Sequence, residues 1–276
     1  MIKTHGESTV ELIKHNASDE DVAYAAWVSN FGTGALERDT SDVSKLINFL
    51  YSNKHMSPFE HGSFTFFVDT PLFVAREFMR HRTFSYNETS GRYKEMEGRF
   101  YVPYEDRPLV QKGKVGAYTF VPGTPEQYNL VVACFKESFE VAWHKYQTML
   151  ENGIAKEVAR DVLPLSLYTQ FYATANPRNI MQFLVLRNDK HALYEIRKVA
   201  EAIEDAFAKA MPLTYAAFMK ARDAEKELTN QVAFLQAENS ALGSALLELQ
   251  QAVVELKKAD EPTTLHTLKR KGGIFR

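Results

Sequence analysis

Hydrophobic and polar positions along the chain switch between a period of two and a period near 3.6, and the switches predict the elements. Val10 and Leu12 alternate with Glu11 and Ile13, which predicts a short first strand. Ser18 precedes Asp19, Glu20 and Asp21, an N-cap with an acidic first turn. Val22, Ala23, Ala26 and Trp27 mark the inner face of the helix that follows, and Phe31-Gly32-Thr33-Gly34 ends it. A second helix, capped by Thr40 or Ser41, turns Val43, Leu46, Ile47 and Leu50 inward. The polar, Pro-containing stretch from His55 to Gly62 reads as a loop. Phe64, Phe66 and Val68 predict a strand, and Thr70-Pro71 a cap with Pro at the first helical position.

Further along, residues 103–125 hold four Pro and three Gly among charges and predict an irregular surface loop. Tyr128, Val132, Phe135, Phe139, Trp143, Tyr146 and Leu150 then recur at helical spacing until Asn152-Gly153. A short helix carries Ala155, Val158, Ala159 and Arg160 and is closed by Leu163-Pro164-Leu165. Residues 167–174 are aromatic-rich and strand-like. Asn176-Pro177-Arg178 restarts a helix with Ile180, Met181, Phe183, Leu184 and Leu186. A further helix turns Leu193, Ile196, Val199, Ala200, Ile203 and Phe207 inward and ends near Met211-Pro212. Strands and helices both recur along this part of the chain, so the fold mixes the two.

From about Arg222 the pattern changes again. Leu228, Leu235, Leu242, Leu249 and Leu256 sit seven apart, and Val232, Asn239, Leu246 and Val253 fill the alternate position. Leu at d, with Val and one Asn at a, predicts a parallel two-stranded coiled coil. Gly243 lowers its helix stability, and Thr229, Gln236, Glu238, Ala245, Gln250 and Ala252 supply few complementary charges at e and g. The organisation expected is a main domain over 1–219, a coiled-coil extension over 222–258 and a flexible basic tail over 259–276.

Composition narrows the function classes. The 276 residues carry a formal net charge of −2, with 45% hydrophobic and 25% charged residues. That balance speaks against a protein whose main task is gripping a nucleic acid backbone. The single cysteine, Cys134, excludes an internal disulfide and fits a reducing compartment. It lies between Val131 and Phe135, where a buried, inert thiol is expected. The first residues lack the apolar core of a signal peptide, and no run reaches the roughly 20 apolar residues of a membrane span. A cytoplasmic location is expected.

The chemistry concentrates in the run from Arg80 to Tyr93, which holds three Arg, one His, two Ser and one Glu. Arg presents five donors in a fork that matches phosphate oxygens. The large apolar residues between the Arg side chains predict that these lie off the free surface. Ser90-Gly91-Arg92 joins a hydroxyl, a close backbone approach and a guanidinium, and Glu88 is placed to orient a sugar hydroxyl or one of the Arg. A phosphate-and-ribose site is the reading that follows. The alternative is a nucleic-acid-binding module in which Phe84, Tyr86 and Tyr93 stack bases. His55 and His61 with Glu60 suggest a metal pair, but with no Cys or third well-spaced ligand no metal site is expected. No G-x-G-x-x-G follows a strand, so no dinucleotide fold of that type is indicated.

Arg80-His81-Arg82, then Ser85-x-Asn87-Glu88-x-Ser90-Gly91-Arg92-Tyr93, resembles the signature of the flavin-dependent thymidylate synthase family. Three further blocks are similar to that family in order. They are His55-x-Ser57-Pro58-Phe59-Glu60-His61, then Glu157-Val158-Ala159-Arg160-x-Val162-Leu163-Pro164 with Leu167-Tyr168-Thr169, and last Asn176-x-Arg178 with Leu186-Arg187-x-Asp189-x-His191-Ala192. The resemblance covers residues 1 to about 219 and leaves the heptad segment outside.

The resemblance implies an α+β fold, a mixed antiparallel sheet packed with helices, as the homotetrameric thymidylate synthase-complementing fold, with FAD sites shared between subunits. It implies reductive methylation of dUMP to dTMP, with methylenetetrahydrofolate giving the carbon, reduced FAD the hydride and NADPH recharging the flavin. On this chain it assigns the flavin to Ser57, Arg80, His81, Arg82, Glu88, Asn176, Arg178 and Gln182, with His55 and His191 as neighbours. It assigns the nucleotide to Glu77, Arg80, Glu88, Thr89, Ser90, Gly91, Arg92, Arg160 and Arg187, with Arg187 against the uracil as the catalytic group. Glu77 stands where the family commonly has Gln, and Gln182 where Asn is usual. Glu77 therefore either faces the nucleotide or pairs with Arg76 or Arg80.

Overall fold

The structure, a computed structural model, describes residues 2–114 and 117–259. Strands β1 (Lys3–His5) and β2 (Thr9–His15) precede helices α1 (Asp19–Phe31) and α2 (Ser44–Ser52). Next come β3 (Phe64–Pro71), α3 (Leu72–Phe78), β4 (Ser85–Glu88), β5 (Arg99–Tyr101) and the hairpin β6 (Val110–Lys114) and β7 (Ala117–Val121). The rest is α4 (Pro125–Glu151), α5 (Lys156–Ala159), β8 (Tyr168–Ala175), α6 (Pro177–Arg187), α7 (Tyr194–Ala210) and α8 (Pro212–Ala259). Residues up to Ala221 form one compact unit and those from Arg222 a second.

The central sheet of the first unit runs β2-β3-β8-β4, antiparallel throughout. β3 is an inner strand, so Phe64, Phe66 and Val68 are fully buried and pack with Phe171 and Ala173 of β8. Helices cover this face through Val22, Ile47, Phe183, Ile203, Phe207 and Phe218. A smaller cluster of Phe100, Val102, Phe139 and Leu167 seats α4. Asp19 is buried at the start of α1 and accepts the backbone N–H groups of Leu213 and Thr214, both at 2.8 Å, and the Thr214 hydroxyl at 2.6 Å. A carboxylate from α1 thus closes the N-terminus of α8, whose first N–H groups have no partner within the helix.

Several local readings hold in the structure. Ser18 caps α1, accepting from the Asp21 N–H at 3.1 Å. Asn176 caps α6 in the same way. Asn152 and Gly153 end α4, and Gly153 takes φ +77°, which suits a residue without Cβ. Other readings change. Thr40 and Ser41 do not cap α2, which starts after Val43 without a side-chain cap; Ser41 bonds Asp39 in a preceding turn. Thr70 and Pro71 finish β3, and the Thr70 hydroxyl pairs with Ser8 at 2.7 Å. Residues 103–125 contain the β6–β7 hairpin. Cys134 is exposed, because it sits one residue before Phe135 and so about 100° off the inward stripe.

Helix α8 begins ten residues before the heptad, with Ala217 and Phe218 in the core. From residue 223 to 256 every residue is exposed. Of the basic tail expected over 259–276, residues 260–276 lie outside the described residues. No helix among the described residues is long and apolar enough to cross a membrane.

Candidate active site

The Arg-rich run leads into and past β4, the edge strand that pairs with β8. Phe78, Phe84, Tyr86, Phe171 and Phe183 form a mutually contacting ring cluster beneath it. The Tyr86 hydroxyl lies 3.0 Å from the Phe78 carbonyl oxygen and 2.9 Å from that of His81. It thereby pins the turn that carries Arg80, His81 and Arg82. Burial pushes the Tyr86 phenol upward, so it stays a neutral donor. Phe84 is buried and Tyr86 points inward, so two of the three residues read as base-stacking platforms are structural. Tyr93 is exposed.

Arg187, on the last turn of α6, reaches back across more than a hundred positions to this turn. Its Nη1 donates to Glu77 Oε2 at 2.8 Å, its Nη2 to the Glu77 carbonyl at 3.0 Å and its Nε to His81 Nε2 at 2.9 Å. Glu77 also lies 3.9 Å from Arg80. Glu77 therefore pairs with Arg187 foremost, a partner the sequence reading did not consider. Burial of the ring, helped by the Arg187 charge, lowers the His81 pKa from 6.5 to about 4. His81 is neutral near pH 7, with Nε2 accepting from Arg187 and its proton on Nδ1.

The other arm of the run forms a second cluster. Thr89 N–H bonds the Gln170 carbonyl, and the Ser90 carbonyl accepts from Tyr93 and Lys94 N–H. Arg92 N–H bonds Ser90 Oγ at 3.2 Å, while Arg92 Nε pairs with Glu157 at 2.7 Å. Gly91 is buried, and a Cβ there would meet Met96 Sδ at 2.9 Å and Arg160 Cδ at 3.0 Å. The glycine is what lets the Arg160 side chain close on this turn. Glu88 accepts from the Thr169 hydroxyl at 2.5 Å, so β8 holds its carboxylate in place.

A cleft of about 560 Å3 opens beside α6. Asn176, Arg178 and Gln182 line it together with Thr83, Met56 and Glu60. Its volume suits a cofactor-sized ligand. Arg178 and Glu60 pair across it. His55 lies outside this lining, stacked on Phe49 at 6.0 Å. Ser57 opens the short turn 57–60 and His191 bonds Asp189 through its N–H; neither lines the cleft. Among the described residues, no three His, Cys, Asp or Glu gather as a metal site.

The expectation that the Arg residues lie off the free surface is corrected. Arg80, Arg82 and Arg92 are exposed in the single chain. The apolar residues between them turn inward as separate anchors and leave the guanidinium groups outside. Sequence reasoning also missed Tyr86, Thr169 and Glu157 as residues that hold the site. Thr169 and Glu157 sit inside motif blocks; for Tyr86 only its place between Arg82 and Glu88 was a signal.

A family model described as thymidylate synthase complementing protein matches residues 11–213. A flavin-dependent thymidylate synthase of Streptomyces avermitilis is 50% identical over 222 residues, which is 76% of this chain and 90% of that protein. One from Streptomyces coelicolor is 48% identical over 229 residues, 79% of this chain and 93% of that protein. Among solved structures, a UMP/dUMP methylase, PolB, from Streptomyces cacaoi bound with 5-Br dUMP is similar at TM-score 0.75 and 44% identity, covering 79% of this chain and 97% of that one. The same methylase bound with 5-Br UMP is similar at TM-score 0.74.

Proposed function

The chain belongs to the thymidylate synthase complementing protein family, and from that premise we propose how its residues divide the work of making dTMP. It is an enzyme of the flavin-dependent thymidylate synthase class that methylates dUMP, with FAD as its cofactor. In our reading the one-carbon unit comes from methylenetetrahydrofolate and NADPH recharges the flavin. When bound, FAD supplies the hydride. The residues present fit such a group. Asn176, Arg178, Gln182 and Thr83 line a cleft of cofactor size, and exposed Arg80 and Arg82 offer charged donors to a diphosphate. Ser57, His55 and His191 are assigned to its edge.

The nucleotide belongs at the other arm. Ser90, Arg92 and Arg160 hold the phosphate, Gly91 keeps the backbone close and Thr89 and Glu88 meet the sugar. One observation carries the catalytic assignment. Arg187 is mostly buried, and three donors already fix it on Glu77 and neutral His81 inside the Arg-His-Arg turn. A guanidinium held this way stabilises negative charge as it develops on the pyrimidine, without reorganising and without releasing its own proton. Glu77 orients Arg187 as well as lying toward the nucleotide.

Arg80, Arg82 and Arg92 face outward on one chain, so a site completed by a neighbouring subunit is the natural reading. We place the FAD sites between subunits of a homotetramer, with the catalytic domain over 1–219, in the cytoplasm. Purified protein is expected to be yellow, to show a flavin spectrum that dUMP perturbs, and to form dTMP when methylenetetrahydrofolate and NADPH are added. Protein that neither carries flavin nor takes up added FAD overturns the reading. So does loaded protein that leaves dUMP unchanged with both co-substrates present.

A further inference from the structure

We propose that residues 228–256 of α8 pair, parallel and in register, with the same segment of a second copy of this chain. The segment lies beyond the family match, which ends at residue 213. Every residue of this stretch is exposed in the single chain, yet it carries a continuous apolar seam. Leu228, Leu235, Leu242, Leu249 and Leu256 occupy d and are 55% to 69% exposed. Val232, Leu246 and Val253 occupy a at 44% to 58%. Phe234, Leu247 and Val254 lie off this seam, at positions that a two-stranded pair leaves in water.

The area is sufficient. Full burial of a Val or Leu side chain removes roughly 60–120 Å2 from water. Eight such residues therefore cover on the order of 500–1,000 Å2 per helix, against about 800 Å2 per partner in a stable interface. The flanks select the occupant. In a parallel pair each g residue faces the e residue of the next heptad of the other chain. Those pairs are Gln231 with Gln236, Glu238 with Gly243 and Ala245 with Gln250. No two like charges meet, so nothing sets a second copy against the first, and no charge pattern calls for a foreign helix. Asn239 is the one polar residue in the apolar stretch of a positions. It is buried with a partner only when it faces Asn239 of the other chain, and this sets both register and direction.

The experiment uses the full chain with Cys134→Ser, so that no other thiol competes. Leu228→Cys and Leu256→Cys are made separately and oxidised gently at low protein concentration. At d positions of a parallel, in-register pair, equivalent residues come within the Cα separation a disulfide needs. Each variant alone is expected to run mainly as a covalent dimer on a non-reducing gel. Ser244→Cys, on the outward face, is expected to link severalfold less. Linking only when the two seam variants are mixed indicates an antiparallel pair and overturns the proposal. Absence of linking, or equal linking of Ser244→Cys, also overturns it. Asn239→Val is expected to add cross-links between the two seam variants when they are mixed. If such mixed links do not appear, Asn239 is not the register lock.

Discussion

Replacing Arg187 by Ala tests the centre of the site through a residue that reports on it, His81. The substitution removes the donors to Glu77 and to His81 Nε2. It also removes a positive charge that helps hold the His81 pKa at about 4. Burial is the larger cause and persists, so His81 should titrate between about 4 and its ordinary 6.5, above the parent value. The consequence for stability has a definite sign. The unfolded chain protonates His81 first as pH falls below about 6.5, while the folded chain resists until about pH 4. The neutral, buried ring therefore contributes stability in full above pH 6.5 and loses it as pH falls toward 4. The full gap corresponds to roughly 3 kcal/mol, and partial exposure of the ring reduces this to about 1–2 kcal/mol. In Arg187→Ala that pH dependence should shrink. Turnover of dUMP should fall on the order of a hundredfold, the effect of losing one preorganised donor, with flavin still bound. The assays are an NMR titration of His81, urea unfolding at pH 5 and pH 7, and dTMP formation by protein of known flavin content. A His81 titration that stays at about 4, together with normal dTMP formation, would refute the reasoning.

Gly91→Ala places a methyl 2.9 Å from Met96 Sδ and 3.0 Å from Arg160 Cδ. Both neighbours are flexible side chains, so the melting temperature should barely move. KM for dUMP should rise about tenfold as Arg160 is displaced, and an unchanged KM counts against the phosphate role. Tyr101→Phe removes the donor 2.5 Å from buried Glu195, which keeps Arg107 as a partner. Stability should drop by about 1–3 kcal/mol, read as a lower urea midpoint at constant slope, with flavin content unchanged. Asp19→Ala leaves the Leu213 and Thr214 N–H groups without their acceptor at the start of α8. A loss of about 2 kcal/mol is expected, and a melting temperature equal to that of the parent would show that water replaces the carboxylate.

What the sequence by itself determined about this protein is what neighbouring residues decide. Ser18 caps the helix it precedes, because the bonded N–H lies three residues away, and the helix that Asn176-Pro177-Arg178 restarts is capped by Asn176 in the same way. The inward stripes of α7 and of the long helix α4 follow from a 3.6-residue period in the chain itself. The four motif blocks carry the family in their residues and their order. Tertiary structure decided the remainder, since those contacts join residues too far apart for any local pattern to encode. Glu77 meets Arg187 across 110 positions, and Glu88 meets Thr169 across 81. Thr70 is drawn from an expected cap into β3 by pairing with β8, whereas Cys134 faces outward for a local reason, its place about 100° from its neighbour Phe135 on α4. Periodicity gives each side chain a face, but only packing decides what that face meets. For Arg187 that decision turned a basic residue at a helix end into a fixed charge.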